Sequence, residues 1–180
     1  MEIKNRISHN LSCSWISGGE RGSHSPFPKP IEGAVIATSA GKVLGVGRSS
    51  YEQDAVQAAI ANAGISATPL SEWCVNWPSN KDLRQDISNS TLYVTIEPSS
   101  RRQGQAFPPI TQLIQMSGIS RVVIGSPDPV PEFASEGAAA LHSAGLDVEM
   151  GVEGKETAGL IEEYAALTNV SSKKLFRALK

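Results

Sequence analysis

The stretch Ser117-Gly118-Ile119-Ser120-Arg121-Val122-Val123-Ile124-Gly125-Ser126-Pro127-Asp128-Pro129-Val130-Pro131 decides the fold. Gly118 stops a preceding helix, and residues 121–125 are a short β-branched run of strand character. Working outward, residues 91–96 read as a strand and 108–117 as the helix that Gly118 ends. Downstream come a helix over 132–143, a strand over 146–150 and a helix over 155–167, with Gly145 at the middle join. Strands alternating with helices of this length imply parallel pairing, with the helices packed on the sheet. Residues 33–37 and 42–46 read as a hairpin turning at Gly41, and 54–63 as an Ala-rich helix ended by Gly64. Glu52 and Asp54 lie near that helix's positive end. A hairpin feeding a parallel series predicts an α/β fold: a three-layer α/β/α domain on a mixed sheet of about five strands.

Flanking this core, residues 7–16 have the pattern of a short amphipathic helix, and 25–30 are too Pro-dense for helix or central strand. Residues 66–89 lose periodicity and read as an inserted loop or lid with room for one helical turn. The domain is expected to span 1–168. Residues 169–180 form a basic tail, read as solvated, because no aromatic and basic surface elsewhere extends it.

Composition restricts the function classes. The 180 residues are 40% apolar and 19% charged, with a net charge of -2, which suits a compact protein with no general drive toward nucleic acid or anionic membranes. No apolar run approaches the ~20 residues needed to span a bilayer. Met1–Arg6 lacks the apolar stretch of a secretory signal, and Cys13 and Cys74 alone do not make a disulfide framework, so a cytoplasmic location is expected. His9, His24 and His142 are scattered, none at a ligand spacing from a cysteine. Cys74, between Trp73 and Trp77, reads as a packed thiol.

The order of motifs resembles the cytidine-deaminase-like superfamily, and within it most of all the deaminase domain of the riboflavin pathway. That domain acts on diaminohydroxyphosphoribosylaminopyrimidine. Its signature P-N-P-x-V-G-A-V-I-V is met by Pro28-Lys29-Pro30-Ile31-Glu32-Gly33-Ala34-Val35-Ile36-Ala37. Its strand Y-V-T-L-E-P is met by Tyr93-Val94-Thr95-Ile96-Glu97-Pro98. Its later block, A-G-I-x-R-V-V-I-A-x-x-D-P-N-P, is met by residues 117–131, and the likeness continues through Gly137, Leu141, Ala144-Gly145-Leu146, Val148 and Gly151-Val152.

The resemblance implies a zinc site in which a His-Ala-Glu triplet opens one helix and two cysteines flank the start of the next. Helix dipoles there stabilise thiolates, zinc lowers the pKa of a bound water, and the Glu shuttles protons. The matching positions in this chain are Asp54-Ala55-Val56, Ser99 and Ile110. Val56 has no proton to move and Ile110 no lone pair. No catalytic residue and no metal ligand is therefore expected, and the family's zinc is expected to be absent. The loop between Gly47 and Asp54 is shorter than the family's, and that between Ser99 and Ile110 longer. A retained pocket would draw on Lys29, which replaces the family's substrate-contacting Asn, with Arg48, Arg101 and Arg102 around a phosphate. Asp54, Glu97, Ser99 and Asp128 would supply oxygens. Trp73 and Trp77 fit two roles equally, stacking on a ligand ring or fastening the insertion to the body.

The leading expectation is a deaminase-fold protein without deaminase activity. It would bind a pyrimidine ribose phosphate or serve as an accessory scaffold. The chain stops near where the resemblance would place a reductase, so a separate reductase is an expected partner. The family's habit of pairing subunits beside the cleft makes a homo-oligomer expected as well. The alternatives are an active riboflavin-pathway or cytidine-type deaminase, an enzyme of changed chemistry in the same cleft, and an oligomerisation module.

Overall fold

The computed structural model describes residues 31–50, 53–68, 74–76, 80–101 and 108–152. In chain order the elements are β1 (Gly33–Thr38), β2 (Val43–Arg48), α1 (Ala55–Asn62), β3 (Ser66–Thr68), β4 (Cys74–Asn76) and α2 (Lys81–Ser88). They continue as β5 (Ser90–Ile96), α3 (Ile110–Ser117), β6 (Arg121–Ser126), α4 (Glu136–Ser143) and β7 (Asp147–Met150). Five strands form one mixed sheet in the order β2-β1-β5-β6-β7. β1 runs antiparallel to both of its neighbours, while β5, β6 and β7 are parallel.

Period-two burial builds the core. Ala34 and Ile36 of β1, Leu92 and Val94 of β5, and Val122 and Ile124 of β6 face one side of the sheet. There they join Val56, Ala59 and Ile60 of α1, Ile87 of α2, Leu113 and Ile114 of α3, and Leu141 of α4 in one apolar cluster. Burying each Ile or Leu side chain contributes about 1.5–3 kcal/mol. All four described helices contribute to that face. On the opposite face Val35 and Ala37 are buried and Tyr93 packs against them. The expected third layer, like the expected helices over 7–16 and 155–167 and the basic tail, lies outside the described residues. Among the described residues, no helix is long and apolar enough to cross a membrane.

Two expectations about element boundaries change. Residues 66–89, read as a loop with at most one helical turn, contain an antiparallel β3–β4 pair and the two-turn helix α2. Asn80 caps α2, accepting hydrogen bonds at its side-chain oxygen from the Asp82 and Leu83 amides. Leu83 and Ile87, at i and i+4, anchor the helix to the core. Lys42 at the hairpin turn also pairs with Asp86 of α2 at 2.7 Å. The helix expected from residue 132 begins instead at Glu136. Residues 130–134 fold as turns, and Ser135, at φ 73°, cannot propagate a right-handed helix.

α1 lies on β2 with almost no intervening side chain. A Cβ placed on Gly47 would fall 1.9 Å from the Ala55 carbonyl oxygen and 2.4 Å from the Ala59 nitrogen, and one on Gly45 would fall 2.2 Å from the Ala59 oxygen. Those obstacles are helix backbone and cannot rotate away. Gly47→Ala is therefore expected to cost about 3 kcal/mol, the upper end of ordinary overpacking, read as a lowered urea midpoint. An unchanged midpoint would contradict this packing.

Candidate functional site

Topology gathers three helix N-termini at one end of the sheet. β2 and β5 are both antiparallel to β1 and hence parallel to each other and to β6. α1 follows β2, α3 follows β5 and α4 follows β6, so all three helices begin at the end where these strands finish. This is where anions, ligands and metal-bound thiolates are favoured in such sheets.

Asp54 is the N-cap of α1, and only 8% of its surface is exposed. Its Oδ1 accepts a hydrogen bond from the Val56 amide at 2.8 Å, and its own amide donates to Gln57 Oε1 at 3.0 Å, completing a reciprocal capping box. Val56 and Ile110 are each 4% exposed and belong to the apolar core. Ser99 makes a local turn: its hydroxyl accepts from the Arg101 amide at 3.1 Å, and its carbonyl accepts from the Thr111 amide in the first turn of α3. Arg48 ends β2 at the same end of the sheet, with β1 between it and β5. Lys29 and Arg102 lie outside the described residues.

Glu97 lies immediately after β5. Its carboxylate is 4% exposed and accepts three backbone hydrogen bonds, from Asp128 (3.0 Å), Ser135 (2.8 Å) and Ala138 (2.8 Å). Ser135, the N-cap of α4, makes no side-chain cap of its own, so the cap comes from another strand. Close approach makes this geometry possible: a Cβ on Gly137 would fall 2.0 Å from the Pro98 carbonyl oxygen. Arg101 reinforces the same junction. It donates from Nε and Nη2 to Glu136 at 3.1 and 3.0 Å, and its guanidinium lies 4.0 Å over the centre of the Phe133 ring. That hydrogen bond raises the Arg101 pKa and lowers the Glu136 pKa.

Asp128 sits beside this cluster, with Oδ1 accepting from the Val130 amide at 2.8 Å. Burial pushes its carboxyl above the usual range, opposed by the Val130 bond and supported by the nearby Glu97 and Glu136 charges. The structure thus brings together Glu97, Arg101 and Asp128 around the start of α4, and sets Ser99 at the first turn of α3 and Asp54 at the start of α1. Sequence reasoning missed Phe133, Ser135, Glu136 and Gly137 as their partners. With the helix expected from residue 132, no sequence signal pointed to them; Glu136 lies in the first turn only because the helix starts late.

The family's zinc does not fit these residues. Val56 and Ile110 present no donor atom, the Asp54 carboxylate caps α1, and the Ser99 hydroxyl is engaged in a turn. Zinc requires four such donors, or three and a water. Among the described residues, no group of three or more His, Cys, Asp or Glu could hold a metal ion.

No protein-family model matches the chain. Among curated proteins, the riboflavin biosynthesis protein RibD of Aquifex aeolicus is 31% identical over 155 residues, covering 85% of this chain and 36% of that protein. A solved diaminohydroxyphosphoribosylaminopyrimidine deaminase/5-amino-6-(5-phosphoribosylamino)uracil reductase from Thermotoga maritima superposes with a TM-score of 0.61 at 31% identity, covering 81% of this chain and 36% of that one. The chain belongs to the cytidine-deaminase-like superfamily. Within it, the chain is related to the riboflavin-pathway deaminases: Acinetobacter baumannii RibD superposes with a TM-score of 0.65 at 25% identity, over 92% of this chain and 40% of that one. The chain spans little more than a third of the length of these relatives.

Two substitutions test the site as built. Glu97→Ala strands three amides and is expected to destabilise the fold by about 5 kcal/mol or more, since hydrogen bonds to charged groups contribute about 1.5–3 kcal/mol each. An unchanged unfolding midpoint would remove Glu97 from this role. For Asp128 the folded pKa lies above the unfolded one, so its favourable contribution is complete below the unfolded value and lost as pH rises through the folded one. Asp128→Asn keeps the bond from Val130 and is expected to raise Tm at pH 7, the gain vanishing below about pH 4. A gain that grows toward acid would reverse the assignment.

Proposed function

We propose that this chain is a zinc-less, non-catalytic member of the riboflavin-pathway deaminase family, acting as an accessory protein and not as a deaminase. The observation that carries the reading is the placement of Val56 and Ile110. Both occupy positions that the resemblance gives to the proton-shuttling Glu and a zinc thiolate, and both are buried in the apolar core. Hydrolytic deamination needs a water acidified by metal and a carboxylate to carry its proton to the leaving amine. A valine and an isoleucine supply neither.

The partner class follows from what the remaining polar groups do. Arg101 is held by Glu136, Glu97 by three amides and Asp54 by its own helix, which leaves a phosphate fewer of the expected contacts. This favours a scaffold for a partner protein, with a separate reductase of the same pathway as the specific candidate. A pyrimidine ribose phosphate is the secondary one.

The test incubates the full chain with diaminohydroxyphosphoribosylaminopyrimidine, with and without added zinc, and measures ammonia. The expected result is no release above the protein-free blank in either condition, together with a changed rate or co-elution when a separate uracil reductase is added. Zinc-dependent ammonia release that a chelator abolishes would overturn the reading.

A further inference from the structure

β2 stands at one end of the sheet order, and among the described residues its one strand neighbour is β1. Antiparallel pairing turns the backbone groups of alternate residues to opposite sides of a strand. The Ser49 amide donates to the Glu32 carbonyl at 3.0 Å, so Ser49, Gly47 and Gly45 face β1, and Val46 and Arg48 turn their backbone groups to the outer side. An outer strand that carries apolar side chains is a template on which another strand can add. Val43 and Val46, 51% and 46% exposed, are two of the three exposed large apolar side chains among the described residues. No charged residue lies between Lys42 and Arg48. The opposite edge strand, β7, differs: Asp147 and Glu149 stand along it, and both pair with Arg121 of β6.

One contact covers the outer side of β2. Asn62, the last residue of α1, donates from Nδ2 to the Val46 carbonyl oxygen at 2.7 Å. We infer that this side chain guards the edge: by holding the outward carbonyl in the middle of β2, it keeps a second copy of the chain from adding its own β2 there. Packing explains why so short a side chain reaches the strand. A Cβ on Gly45 would fall 2.2 Å from the Ala59 oxygen and 2.8 Å from the Ala63 nitrogen, so the last turn of α1 lies directly against β2. Two copies related by a twofold axis would set β2 antiparallel to β2, with bonds exchanged around Val46 and the valine side chains meeting across the axis. The Val46 carbonyl would then have to accept from the partner's amide on the side that Asn62 already occupies. Guard and partner therefore compete for one acceptor, and the guard has the advantage of belonging to the same chain.

The experiment is sedimentation of the full chain over a concentration series, with wild type beside Asn62→Ala and beside Asn62→Ala combined with Val46→Lys. Asn62 is exposed at a helix end and alanine is the better helix former, so the fold is expected to persist, with Tm within about 4 °C of wild type. Asn62→Ala is expected to associate beyond the wild-type state, with pairing roughly fivefold tighter, the factor set by releasing one neutral hydrogen bond. Adding Val46→Lys is expected to restore the wild-type distribution, because like charges would face each other across the axis. Asn62→Ala sedimenting as wild type does would overturn the inference. So would association that Val46→Lys leaves in place, since it would then run through another surface or through unfolded chain. Ammonia release bears on the proposed function alone and leaves the edge guard as it stands.

Discussion

A buried carboxylate at the end of the central strand holds the candidate site together. Glu97 leaves β5 and bonds three amides, one in the loop after β6 and two at the start of α4. Without it, the start of α4 would be uncapped, because Ser135 points its backbone into the left-handed region and offers no side-chain bond. Gly137 must be glycine for the helix to come this near to Pro98. Arg101, Phe133 and Glu136 close over the same junction from outside. A strand-end carboxylate, a glycine and an arginine thus form one mechanical unit, of which the carboxylate and the arginine alone read as ligand contacts in the sequence.

The same theme governs α1. Its start is capped by its own aspartate, and its body rests directly on β2 through Gly45 and Gly47. That contact leaves little freedom to reposition the helix, so the first turn has to be satisfied where it lies. Val56 is turned into the core, and Ile110 does likewise from α3. Sheets of this kind place function at strand ends because the helix starts there attract anions. Here two of those anions belong to the chain itself.

Much of the fold was legible because its signals are local. The Gly41 turn, the β-branched runs at residues 91–96 and 121–125, and Gly118 at the end of α3 each settle a neighbour's conformation. What stayed hidden depended on distant contacts. The late start of α4 follows from Glu97, 38 residues from Ser135. α2 was overlooked because its polar residues mask an apolar pair, Leu83 and Ile87, that only the folded sheet makes meaningful. At the site, residue identity alone argued that Val56 and Ile110 lack donor atoms. That Glu97, Asp54 and Arg101 are engaged by the chain itself depended on geometry.

The most direct measurement is anomalous diffraction at the zinc edge from crystals of the full chain grown with zinc present. The expected map has no anomalous peak between the starts of α1 and α3, with Asp54 Oδ1 still on the Val56 amide. A peak at about 2.0–2.2 Å from the Asp54 carboxylate would contradict it, because that is the distance of a zinc-bound oxygen.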